Sequence, residues 1–198
     1  MREYNGGLTR EQFLFYEIRI MATLVSQGYT KAEAIEKIKE ENLFQFPTER
    51  MTASIANTCF RRLGALGSDA LVYHLANATA DVAKQINLYA MMKHNAIVWD
   101  FMTTVVGEKF RTQEFEFSKK DLNVFMFQLR EQNDAVASWS EGTIAKIKQV
   151  LTKCLVECEF LDGVRATMLN PVTIAPELED EIRLNNDAAA LAAFNCFR

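Results

Sequence analysis

Residues able to stop a helix are scarce in this chain, and that scarcity limits its possible folds more than any motif does. Its 198 residues include 8 Gly and 3 Pro. A sandwich or barrel of short strands needs a turn signal about every 8–12 residues, so a many-turned β fold is excluded. Apolar side chains instead return every three or four positions through long stretches rich in Ala, Leu, Glu, Lys, Gln and Met, which is helical spacing and helical composition. Hydrophobic residues make up 49% of the chain and 14 residues are Phe, enough for a sizeable core. The expected class is all-α, a compact helical bundle.

The net charge is −4, so no global basic field exists to hold a polyanion. The charge is unevenly placed, with 61–130 mildly basic and 131–198 acidic. Inside that acidic part, 138–155 carries Lys146, Lys148 and Lys153 against Glu141 alone. A local, salt-sensitive contact with nucleic acid is compatible with such a distribution. The N-terminus runs straight into a charged, capped helix, so no signal peptide is expected. The most apolar long stretch, 86–106, contains Lys93, His94 and Asp100, which a membrane span would have to carry across. The expected setting is cytoplasmic, without a membrane partner. Cys59, Cys154, Cys158 and Cys196 show no CxxC spacing and read as buried thiols.

Capping patterns mark the helix starts. Thr9 with Gln12, Thr30 with Glu33 and Ser118 with Asp121 each fit the capping box. A turn over 43–48, containing Pro47, leads into a helix over 49–63. Arg50, Ser54, Asn57 and Arg61 line one side of that helix, within about 60° of arc. Asn and Arg are suited to bidentate contacts with adenine and guanine edges. Residues 31–63 are therefore a candidate helix-turn-helix, with a turn longer than the usual three or four residues.

A second candidate spans 133–158. A short helix-like stretch, 133–138, precedes the capped amphipathic segment WSEGTIAKIKQVLTKCLVECEFL, residues 139–161. Ile144, Ile147, Val150, Leu151, Cys154, Leu155 and Cys158 form its apolar face, and Lys146, Gln149 and Lys153 point away from it. The dipeptide Asp162–Gly163 signals a tight turn, the tip of a small β wing near 159–168. Residues 107–117 read as a connector. The pairs Arg61–Arg62 and Lys119–Lys120 are suited to phosphates. The chain divides into a part over 1–78 and a part over 79–198, expected as one compact unit.

Nothing points to chemistry. His74 and His94 are the only histidines and neither lies in a nucleophile–base–acid motif. Cys154 and Cys158, one helical turn apart, amount to half a zinc site, and both fall on the apolar stripe. Glu177, Glu179, Asp180 and Glu181 follow Pro176, where negative charge complements a helix dipole. No phosphate-binding glycine motif is present. No catalytic residue, metal, cofactor or small-molecule substrate is expected, and the chain reads as a non-enzyme.

The opening stretch, YNGGLTREQFLFYEIRIMATLVSQGYTKAEAIEKIKEENLFQFPTERMTASIANTCFRRL, and the late TIAKIKQVLTKCLVECEFL resemble the BrxA family in pattern and order. That family comprises small core proteins of bacteriophage exclusion (BREX) defence, and the resemblance covers essentially the whole chain. It implies an all-helical, NusB-like bundle with helix-turn-helix elements that binds double-stranded DNA. It also implies a defence role beside other BREX subunits and no enzymatic activity. Carried onto this sequence, DNA contact falls on Arg50, Asn57, Arg61 and Arg62 in the first candidate. In the second it falls on Ser140, Thr143, Lys146, Gln149 and Lys153, with Lys119 and Lys120 holding the backbone. Two other readings stand beside it. One is a protein-interaction scaffold that uses the acidic 177–187 and an exposed apolar end near Phe194 and Phe197. The other is RNA binding, suggested by the NusB-like fold.

Overall fold

A computed structural model describes residues 4–197. These form two compact units, one over 14–94 and one that joins 4–13 to 95–197.

The 14–94 unit holds α1 (Phe15–Ser26), α2 (Lys31–Glu40), α3 (Glu49–Leu66), α4 (Asp69–Asn77) and α5 (Ala80–His94). Thr30 and Glu33 form the capping box expected of them. Thr48 and Ser68 cap α3 and α4 by accepting from Met51 N and Leu71 N. Gly67, with φ +65°, terminates α3 in the left-handed region that favours glycine. The Thr9 cap is not formed. Residues Gly6–Thr9 are a 3-10 turn whose cap is Asn5, and α1 begins only after Leu14. α1 packs on α3 and α4, and α5 packs on both of those. Every residue from Ile86 to Met92 is buried, so α5 is the centre of this unit. The division expected at 78/79 is therefore displaced to 94/95, where Asn95 stops α5 and accepts from Ile97 N and Val98 N.

The second unit begins with one unbroken helix made of α6 (Ala96–Asp100), a π-helical stretch (Phe101–Val106) and α7 (Gly107–Thr112). It continues with α8 (Lys119–Gln132), α9 (Asp134–Ala137), α10 (Glu141–Glu157), α11 (Pro176–Leu184) and a 3-10 segment (Ala188–Phe194). The expected connector over 107–117 is thus helical in its first half. Gly107 has a packing reason to sit in a helix, because a Cβ there would lie 3.0 Å from Ala192 Cβ. Phe101 meets Phe117 and Phe125 edge-on, with ring centroids 6.2 and 5.4 Å apart. The N-terminal segment belongs to this unit: the Tyr4 hydroxyl donates to the Asp100 carboxylate. Burial first, and then that carboxylate, pushes the Tyr4 hydroxyl up to about 12.

No wing hairpin forms at 159–168. A two-residue primed turn needs positive φ at its first central residue, and at both in type I′, and neither Asp162 nor Gly163 has it. Phe160 and Leu161 are buried in the core, and Asp162 accepts from Asn170 Nδ2. The segment expected as the second arm pairs elsewhere. Phe117 N–H donates to Thr167 O, Leu169 N–H donates to Phe115 O, and Glu116 and Met168 form a single antiparallel bridge. No helix among the described residues is long and apolar enough to cross a membrane.

Candidate nucleic-acid interface

The surface is built on α8 and α10. Ser118 and Asp121 close the capping box of α8, with Asp121 Oδ2 accepting the Ser118 N–H at 2.7 Å. Ser140 caps α10 by accepting from Thr143 N at 3.1 Å, and the two hydroxyls bond at 3.0 Å. All seven apolar positions of the 144–158 stripe are buried. Two side-chain links tie the helices together. Arg130 Nη1 donates to Glu141 Oε1 at 2.8 Å beside the bend, and Lys148 Nζ donates to Asn123 Oδ1 at 2.9 Å, seven residues further along each helix. These two links hold the facing sides of a helix–bend–helix unit together. The one-turn α9 occupies the bend.

Lys119 and Lys120 at the start of α8, and Lys153 on α10, all lie beyond the Asn123–Lys148 link, on the side away from the bend. Lys119, Lys120, Gln149 and Lys153 are exposed, and Lys146 and Lys148 are half-buried. Lys146 Nζ donates to Gln149 Oε1 at 3.1 Å. Two acids on these helices are engaged elsewhere. Asp121 pairs with Lys109 at 3.0 Å and with its own cap, and Glu141 pairs with Arg130. Lys119, Lys120 and Lys153 make no ion pair among the described residues. Sequence reasoning missed Lys148 and Asn123, since their meeting depends on the helix pairing.

Asp121 fixes where α8 starts, and so where Lys119 and Lys120 stand. Burial pushes its carboxyl up, but the Lys109 ammonium and the Ser118 donors outweigh this and hold it below the ordinary carboxylate range. A depressed folded pKa contributes stability that is present above the unfolded value, about 3.9, and is lost as pH falls through the folded one. Urea midpoints measured downward from pH 4 are expected to fall less steeply for Asp121→Asn than for the parent chain. Parallel curves would remove Asp121 from the acid transition.

The first candidate lies in the 14–94 unit, where α2 and α3 pack as an antiparallel pair. Lys39 meets Glu49 at 3.7 Å across the bend, and Lys31 lies 5.7 Å from the Phe60 ring centre at the far end. Arg50 and Arg61 are exposed, with Arg61 donating to Thr58 Oγ1 at 3.2 Å. Asn57 is half-buried, and its amide donates to Ala53 O at 2.8 Å. Bidentate reading of adenine requires that amide, so Asn57 would first have to release it. Arg62 is corrected outright: it is 1% exposed, inside the core of this unit, and cannot touch a phosphate. Thr143 is half-buried against Gly6. Phe194, expected at an exposed end, is buried, while Phe197 is 47% exposed. No group of His, Cys, Asp or Glu suited to a metal occurs among the described residues.

These features define an all-α protein of capped helix–bend–helix units that display cations. The BrxA family model matches residues 2–186. A "BREX protein BrxA" of Bacillus cereus (strain H3081.97) is 32% identical over 158 residues, which is 80% of this chain and 78% of that protein. Another of the same name, from Escherichia coli O9:H4 (strain HS), is 26% identical over 174 residues, covering 88% and 81%. A crystal structure of an uncharacterized protein from Magnetospirillum magneticum shares the fold, with a TM-score of 0.82 over 98% of both chains at 22% identity. The chain belongs to the BrxA family.

Proposed function

We propose that this protein is a non-enzymatic component of BREX phage defence that binds double-stranded DNA in the cytoplasm. Family membership supports the defence role. The observation that carries DNA binding is the set of exposed lysines Lys119, Lys120 and Lys153 on α8 and α10, none of which makes an ion pair among the described residues. Lys119, Lys120 and Lys153 would take phosphates, with Lys146 and Gln149 alongside. Ser140 and Thr143 serve as the cap of α10. Arg50 and Arg61 on the other unit add a separate cationic stripe.

An electrophoretic shift on duplex DNA at about 50 and 200 mM salt tests this. Five to eight phosphate contacts would lower affinity by roughly 10³-fold or more between those conditions. Binding that ignores salt would overturn it. A second reading, a scaffold for other BREX subunits, is favoured by Phe127 and Val124, which are 63% and 45% exposed on α8. Co-purification of those subunits after nuclease treatment would support it.

A further inference from the structure

Phe127 stands 63% exposed on α8, and Val124, one turn before it, is 45% exposed. Helical spacing puts both on one stripe with Lys120. At about 100° per residue, Lys120, Val124 and Phe127 fall within roughly 60° of arc. Phe127 lies roughly 10 Å along the axis from Lys120, at about 1.5 Å per residue. Lys120 is exposed and makes no ion pair among the described residues. Asn123, one turn before Phe127, accepts from Lys148 Nζ at 2.9 Å, which brings a cation of α10 beside the stripe. Glu131, exposed one turn beyond Phe127, marks where the cationic face ends. An aromatic ring thus stands out from the same face that carries the phosphate-binding lysines.

We infer that Phe127 is a wedge that enters a DNA duplex between two stacked base pairs and bends it, an inference that rests on the DNA-binding reading of α8 and α10. Lysines on phosphates bring this stripe against the duplex, and the stripe is apolar at its centre. A phenyl ring has nothing to hydrogen-bond with a base edge, so its gain there is stacking. Architectural DNA-binding proteins insert Phe, Leu, Ile or Met between base steps in this way and kink the duplex by roughly 20–90°. Val124, beside the ring, lines the opened step. Unstacking is easiest at pyrimidine–purine steps such as TA, whereas A-tracts are stiff. The wedge therefore selects where along a duplex the protein settles without any contact to a base edge.

The test uses the full chain and an end-labelled duplex of about 25 base pairs, with affinity read by anisotropy and end-to-end distance by energy transfer. One duplex carries a central TA step and a second carries an A-tract there. The parent chain is expected to shorten the TA duplex on binding and to hold it roughly fivefold or more tighter than the A-tract. Phe127→Ala, at an exposed position, should leave the duplex straight and cost roughly fivefold or more in affinity for the TA step. Its salt slope should match the parent's, because no charge is removed. Phe127→Leu keeps an apolar wedge and should restore the bend. A TA duplex that is bound but straight, or one that Phe127→Ala bends as the parent does, would overturn the wedge, leave the lysine surface standing and return Phe127 to the scaffold reading. Failure of the parent chain to bind either duplex would overturn both the wedge and the DNA-binding reading.

Discussion

Reversing Lys119, Lys120 and Lys153 together to Glu is expected to abolish the DNA shift at moderate salt while leaving the protein folded. Each lost phosphate contact removes roughly 1 kcal/mol of binding and about 0.9 from the slope of log affinity against log salt. Three contacts therefore correspond to a hundredfold or greater loss and a slope shallower by about 2.7. The fold has reason to tolerate the change. All three side chains are exposed, and none makes an ion pair among the described residues. Lys119 and Lys120 also stand in the first turn of α8, where the positive end of the helix dipole disfavours cations. Glu at those positions suits the dipole, so the melting temperature should hold or rise while binding disappears. A thermal scan and a shift assay on one preparation decide it. Undiminished binding would move the interface elsewhere, with Arg50 and Arg61 the next residues to reverse.

Arg62→Ala is expected to do the opposite: lower stability severely, and change DNA affinity only as far as the folded fraction falls. Arg62 is among the largest fully buried side chains of the chain, at 1% exposure beside buried Cys59, Leu63 and Leu66. Truncating a buried side chain of that size costs on the order of 3–5 kcal/mol. That is a large share of the stability of an ordinary domain. Denaturant midpoints read the loss directly. A variant as stable as the parent would show that the guanidinium is dispensable to the core. Arg62→Met, which refills most of the volume, separates the roles further. If it restores the midpoint and binds DNA like the parent, no part of the affinity belonged to Arg62.

The helices that carry these residues also show where sequence reasoning succeeds and where it fails. The stripe from Ile144 to Cys158 was legible because an amphipathic helix needs only its own spacing to declare its buried face, and every member of that stripe is buried. Ser140, Thr30 and Ser118 were legible as caps for the same local reason. Arg62 was misplaced because it was paired with its neighbour Arg61. One residue is about 100° around a helix, and the true signal was its spacing from Ile55 and Cys59 on the apolar side. The wing failed for a non-local reason. Asp162–Gly163 is a turn signal, but the backbone of 167–169 finds its partners at 115–117, some fifty residues earlier. The π-helical stretch left no local mark. Gly107 read as the start of a connector, because the contact with Ala192 that explains it is made by a segment far along the chain.

The way the chain visits its two units bears on how it can be made. Residues 14–94 are contiguous and leave a ribosome as a finished set, whereas 4–13 must wait until Asp100 and Thr143 have been synthesised before Tyr4 and Gly6 find their places. Closing so long a loop is entropically slow. Self-sufficient assembly of the early helices, followed by late capture of the leading segment, is therefore the order that this connectivity imposes on biosynthesis.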